Sequence, residues 1–168
     1  VNSSRVYLGG GNADITVHDN RFNSMRAAAV IVTDGGFGYG QNRGITVTSN
    51  LIDANVAAAP LNTAMIDLRG TGGHALVSGN AITFTNGVTT GVLHGIAVSG
   101  PITDVLVAGN ALQGNALDSD VTTPSAGVLI RGTLAPDSKV VVAFNTIAGF
   151  VQGVRSEGAP TSADVRVN

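Results

Sequence analysis

The chain alternates apolar and polar residues in short runs, and the same run returns along its length. ITVHDNRF at 15–22 is followed by ITVTSNLI at 45–52, ALVSGNAI at 75–82, VLVAGNAL at 105–112 and VVVAFNTI at 140–147. In each copy two apolar residues stand five and three places before an asparagine: Ile15/Val17, Ile45/Val47, Ala75/Val77, Val105/Val107 and Val140/Val142. Another stands two places after it: Phe22, Ile52, Ile82, Leu112 and Ile147. Alternation of this kind places every second side chain on one face of a β-strand. Asn20, Asn50, Asn80 and Asn110 are 30 residues apart, and Asn145 follows after 35.

Each unit carries a second alternating run, at 29–32, 64–68, 95–98, 127–130 and 153–154. Two or more strands per unit of about 30 residues, with no helical periodicity, predict a parallel β-helix. In such a stack, equivalent positions lie ~4.8 Å apart along the axis. The asparagine sits where the chain must bend, and it tolerates the left-handed backbone region better than most residues. Its amide both donates and accepts, so the copies are expected to form a hydrogen-bonded ladder that satisfies its interior members. Asn20, Asn50, Asn80, Asn110 and Asn145 are therefore read as structural.

The string V-x-V-x-x-N-x-I resembles the repeat of right-handed parallel β-helices of the pectin-lyase-like group. That group includes pectate lyases, polysaccharide epimerases and phage tailspikes, and the likeness runs through nearly the whole chain. It implies an all-β, right-handed solenoid of about five coils. A leucine-rich repeat shares the string L-x-L-x-x-N-x-L, but it pairs leucine-rich strands with a helical side. Here the second run is again β-patterned, and valine (22) and isoleucine (10) together outnumber leucine (11) nearly three to one. The chain of 168 residues reads as one domain, 1–168. Val6–Leu8 reads as the tail of one coil, and Val165 and Val167 restart another just before the chain stops. With Val1 in place of Met, this is expected to be a segment of a longer solenoid, truncated at both ends.

Composition narrows the chemistry. There is no cysteine, so no disulfide, thiolate zinc site or cysteine nucleophile. Net charge is −2 and Lys139 is the only lysine, so no basic face for nucleic acid is expected. No apolar run approaches the ~20 residues of a membrane span. No cofactor is predicted.

Candidate chemistry follows from the register. From ladder asparagine to second strand the gap is 10 residues in the Asn20 unit and 9 in the Asn145 unit, but 16, 16 and 18 between them. Segments 53–63, 86–94 and 115–125 are thus expected to form a wall at one corner, beside the outward face of the second strand. A separate loop, TDGGFGYGQNRG, spans 33–44. Outward positions near the wall are Asp67, Arg69, Ser99, Arg131, Arg155 and Glu157, with His94 ending the middle loop and Asp118 and Asp120 in the third. Arginines and carboxylates in a groove suit a sugar polymer, in particular an acidic one. Paired carboxylates can run glycoside hydrolysis. In the lyases of the resembled fold a basic residue abstracts the proton and arginine or calcium neutralises the uronate, which makes Asp67, Arg69 and Arg131 the catalytic candidates. His94, Asp118, Asp120, Arg155 and Glu157 are the ligand-binding candidates. Against this, outward charges also serve solubility, and Asp118 and Asp120 in DSD also suit turns.

The calcium clusters of such lyases and exposed tryptophans for sugar stacking are missing from the sequence. GGGNADITV at 9–17 resembles a single copy of a calcium-binding nonapeptide repeat, and reads more simply as a turn into a strand. Thr16, Thr46 and Thr48 do not continue into the flat array of an ice-binding face. His18 and His74 fall on other outward columns as surface residues. The function expected is binding or processing of a polysaccharide or cell-surface glycan by an extracellular, cell-surface or virion-borne protein. If catalytic, it would be a lyase, hydrolase or epimerase. The alternative is a structural spacer in an adhesin or tail fibre. The resemblance also implies a possible homotrimer or larger assembly. On the binding reading, Arg69→Ala or Arg131→Ala is expected to abolish glycan binding and leave thermal stability alone.

Overall fold

A computed structural model describes residues 5–33, 41–55, 63–70, 73–85, 93–100, 103–115, 125–131, 138–158 and 164–167. Among them there is no helix, and every named strand pairing is parallel. The apolar alternation closes the chain into a β-solenoid of three sheets. The leading sheet holds the strands before each asparagine: Thr16–His18, Ile45–Thr48, His74–Ser78, Asp104–Ala108, Lys139–Ala143 and Asp164–Val167. The trailing sheet holds those after it: Arg21–Met25, Leu51–Ala54, Ala81–Phe84, Ala111–Gln113 and Thr146–Ala148. The return sheet holds Val6–Leu8, Val30–Thr33, Thr63–Arg69, Leu93–Ser99, Ala126–Arg131 and Gln152–Glu157.

The register matches the sequence count residue for residue. Val47 pairs with Val17 and Val77, and Val107 with Val77 and Val142. In the return sheet Val30, Ile66, Ile96, Val128 and Val154 form one column despite the unequal segments that precede them. These side chains point inward and make a single continuous core. Stacking like on like buries each apolar residue against its counterparts in the neighbouring units, so the core propagates by nearest-neighbour contact.

The asparagine ladder is continuous. Each side-chain Oδ1 accepts from both the backbone N–H and the amide of the preceding asparagine, at 2.9–3.0 Å from Asn50 through Asn145. The amide also donates to a carbonyl of the preceding unit, as Asn80 Nδ2 does to Val47 O at 2.9 Å. Asn50, Asn80 and Asn110 are buried, whereas Asn20 at the end of the column is exposed. A second, shorter ladder joins Asn12 to Asn42 (2.8 Å), and Asn42 also donates to Thr33 O. GGGNADITV is accordingly a turn: Asn12 holds it and Ala13 bridges to Arg43.

One expectation needs correcting. The left-handed residue at the bend is the one before the asparagine. Asp19, Ser49, Gly79, Gly109 and Phe144 have φ of 54°, 55°, 64°, 65° and 56°. That position lies at the bend from the leading to the trailing sheet, just before the asparagine that reaches along the stack. Glycine adopts this backbone without strain, and aspartate and serine are small. Phe144 is bulky there and 83% exposed, with no packing to offset the strain. Phe144→Gly is therefore expected to stabilise the fold by about 1 kcal/mol, raising the thermal midpoint by roughly 2–4 °C in a calorimetric scan. An unchanged or lower midpoint would show that the ring contributes more than its backbone costs.

Candidate functional site

The return sheet carries the candidate residues, and its strands change face part way along. Ile66, Ile96 and Val128 point inward, and so do Gly95 and Gly127, the residues just before. A Cβ on Gly95 would lie 2.7 Å from Gly127 O and 3.3 Å from the core methyl Leu112 Cδ1. Two consecutive inward positions turn the preceding residues, Ala64, His94 and Ala126, to the outer face. There Ala64, Ala97, Ala126 and Leu129 form a small apolar cluster separate from the main core.

Three outward columns result. Nearest the corner of the long segments stand Ala64, His94 and Ala126, with Gln152 beyond. The middle column is Ile31, Asp67, Ala97, Leu129 and Arg155. The far column is Thr33, Arg69, Ser99, Arg131 and Glu157. The register thus brings Asp67, Arg69, Arg131, Arg155 and Glu157 onto one face, as expected; His94, expected to end the middle loop, is instead the second residue of the strand Leu93–Ser99 and joins that face.

Their exposure differs from the expectation of a charged, open groove. His94 is 1% exposed and Asp67 is 2% exposed, although both point away from the core. His94 Nδ1 accepts the Ala126 N–H at 3.0 Å, which fixes the ring proton on Nε2 and ties two neighbouring strands together. The column closest to the inserted segments is therefore closed and largely apolar. Accessible charge lies at the other end of the strands, five residues along from Ala64 to Arg69, or about 16 Å. Half-exposed Arg69, together with Ser99 and Arg131, stands where the strands leave the sheet.

Two of the three arginines are committed. Both Nε (2.8 Å) and Nη2 of Arg69 donate to Asp67 Oδ2. This hydrogen bond pushes the Arg69 guanidinium above its ordinary pKa; partial burial opposes the shift, while the charge of Asp67 and a contribution from Tyr7 reinforce it. Asp67 Oδ1 is buried and accepts no hydrogen bond. Arg155 Nη2 meets Glu157 Oε1 at 2.7 Å. Arg131 has no carboxylate partner among the described residues. Among the described residues its charge is the one left to the surface of this face.

Asp118 and Asp120, and most of the segments 53–63, 86–94 and 115–125, lie outside the described residues, as does 34–40 of the TDGGFGYGQNRG loop. His18 and His74 are surface residues, beside Asp19 and Asp104 respectively. Among the described residues no group of three or more His, Asp or Glu is placed to hold a metal ion, and no helix is long and apolar enough to cross a membrane. Set against known proteins, the chain matches no family model, no curated protein and no solved structure.

Proposed function

We propose that the chain is a β-solenoid section of a pectin-lyase-like, extracellular or virion-borne protein that binds an acidic polysaccharide along the return sheet. The observation that carries this reading is the far column. Arg69, Ser99 and Arg131 stand in register at the accessible end of three successive strands, Arg69 and Arg131 two strand spacings (~10 Å) apart. Asp67 neutralises Arg69 and Glu157 neutralises Arg155, so the net positive charge of the face resides on Arg131. A polymer carrying carboxylates would meet that guanidinium in a bidentate pair, with Ser99 as a neutral donor beside it.

Binding is favoured over cleavage. Asp67 is closed off from solvent and Glu157 is paired, so neither suits the acid–base pair of a glycoside hydrolase. Arg131 is thereby the test residue. Arg131→Ala is expected to weaken binding of polygalacturonate or alginate about tenfold or more, as loss of one charge-assisted pair implies, with an unchanged thermal midpoint. Calorimetric titration measures both polymers. Wild-type chain that binds no acidic glycan, or an Arg131→Ala chain that binds as well as wild type, would end the proposal.

The structural spacer is the second reading. What favours it is the internal pairing of Asp67 with Arg69 and of Arg155 with Glu157, which spends most of the charge on the fold itself.

A further inference from the structure

The outward face of the leading sheet is used by neither the ladder nor the return sheet. Its strands Asp104–Ala108 and Lys139–Ala143 are neighbours, with Asp104 beside Lys139, Leu106 beside Val141 and Ala108 beside Ala143. One residue further on, at the bend, Gly109 stands beside Phe144. Four outward columns therefore set an acid next to a base, two aliphatic residues together, two small residues together, and a glycine next to an aromatic ring. Lys139, the only lysine, is exposed and makes no ion pair among the described residues. Asp104 Oδ2 meets the exposed His74 Nδ1 at 3.2 Å. Leu106 is 40% exposed, and an open hollow of about 310 Å³ lies along Leu106 and Val141. Phe144 holds its exposed ring on a left-handed backbone, a strain of the kind that persists where a residue serves a contact. Beside it Gly109 leaves open space: a Cβ there would meet nothing within 4 Å.

These features spread over five residues of strand, about 16 Å, which is too wide for a small ligand and suits another sheet. A second copy of the chain meets all of them at once. Two leading sheets can pack face to face about 10 Å apart with their strands aligned. The two-fold axis then lies between the sheets, parallel to the strands and midway between the Asn110 and Asn145 coils. This operation reverses the order of coils and keeps each position along the strand. Every residue of one coil thereby faces its column neighbour in the second copy. Lys139 faces Asp104, Val141 faces Leu106, Ala143 faces Ala108 and Phe144 faces Gly109, and each contact occurs twice. Charge, apolar surface and shape are complementary in all four columns, as an isologous interface requires.

We propose that two copies of this chain associate antiparallel through the leading sheet, the Phe144 ring of each seated over Gly109 of the other and reciprocal Lys139–Asp104 bridges at the opposite margin. The return sheets of both copies stay free, and the pairing does not depend on any glycan. Four coils and a strand of six residues give a footprint of ~400 Å² per copy, about half that of a standard interface. The pair is accordingly weak, with a Kd on the order of 0.1 mM. Sedimentation equilibrium of the whole chain from about 10 µM to 1 mM is expected to show a monomer–dimer equilibrium. Lys139→Asp and Asp104→Lys each set like charges against one another, and each is expected to weaken association about tenfold or more. Mixed in equal amounts, the two variants are expected to associate to within about threefold of wild type, because each supplies the charge that the other has lost. Phe144→Gly is expected to weaken association about tenfold or more, while its thermal midpoint in dilute protein still rises.

A chain that stays monomeric throughout this range would leave the face to a different partner and overturn the proposal. So would a trimer, which the two-fold arrangement does not allow. Charge variants that associate as wild type, a mixture no stronger than either variant alone, or undiminished association of Phe144→Gly would each overturn it as well.

Discussion

Asn80→Ala is expected to destabilise the chain by about 3–5 kcal/mol, a large part of the total stability of a single domain. Asn80 is the middle of the five-membered ladder and is 1% exposed. Its Oδ1 is the acceptor for the Asn50 backbone N–H at 3.0 Å and for the Asn50 amide at 2.9 Å. Its Nδ2 serves Val47 O and Asn110 Oδ1. Alanine removes these four bonds and a fifth, from Nδ2 to Ser78 O at 3.2 Å, and leaves the Asn50 N–H and the Val47 carbonyl short of a partner in a buried column, at roughly 1–3 kcal/mol each. A thermal midpoint lower by about 10 °C or more follows for a domain of this size. Asn20→Ala is the internal control. Its side chain ends the column in solvent, and its backbone N–H keeps Asn50 Oδ1, so a loss under about 1 kcal/mol is expected. Equal losses in the two variants would mean that burial of the ladder does not matter, and the structural reading of these asparagines would fail.

The ladder and the register were legible in the sequence because both repeat. Stacked units force like residues into one column, so the inward valines and isoleucines and the polar asparagine keep a fixed spacing that survives even insertions of unequal length. What does not repeat was harder to see. The left-handed position before each asparagine holds aspartate, serine, glycine or phenylalanine, with no shared chemistry to mark it. Asn12 and Asn42 form a ladder of two, and position 72 is glycine, so no third copy drew attention to it. The β-bulge of the trailing sheet, where Asn23 and Ser24 face the single residue Asp53, had a trace in the spacing: two residues separate Phe22 from Met25 where one separates Ile52 from Ala54.

The candidate site was legible in part for the same reason. Counting placed Arg69, Arg131, Arg155, Glu157 and Asp67 on one face, which is a statement about register; His94 was read as the end of a loop, and the strand that starts at Leu93 brings it there. Accessibility is a different quantity. Asp67 and His94 occupy outward columns in which their neighbours Ile31, Ala64, Ala97, Ala126 and Leu129 are apolar, with polar residues returning at Gln152 and Arg155, and that apolar company was the available sign that this part of the face is closed. Alternation alone assigns an outward residue to solvent; neighbours in the column decide whether solvent reaches it.

Arg69→Ala follows from that distinction, and it is expected to cost about 2–3 kcal/mol, contrary to the neutral effect a solvent-facing arginine would have. The substitution strands Asp67, which is 2% exposed and whose Oδ1 already accepts no hydrogen bond. Breaking a fully buried pair typically costs 3–5 kcal/mol; the Arg69 side chain is 51% exposed, so water shares its charge and the lower figure applies. The neighbours of Asp67 in its column show how the loss can be reversed. Ile31 and Ala97 flank it and Leu129 follows, so Asp67→Leu combined with Arg69→Ala would extend an apolar column and remove the buried charge altogether. The double variant is expected to lie within about 1 kcal/mol of wild type, with a coupling energy that accounts for most of the loss in Arg69→Ala. Urea unfolding of the four proteins in the cycle measures it. Additive effects would mean that Asp67 and Arg69 do not depend on one another. Strong coupling carries a consequence for function: impaired glycan binding in Arg69→Ala would report a rearranged face, and a direct contact with the polymer can be read only from Arg131.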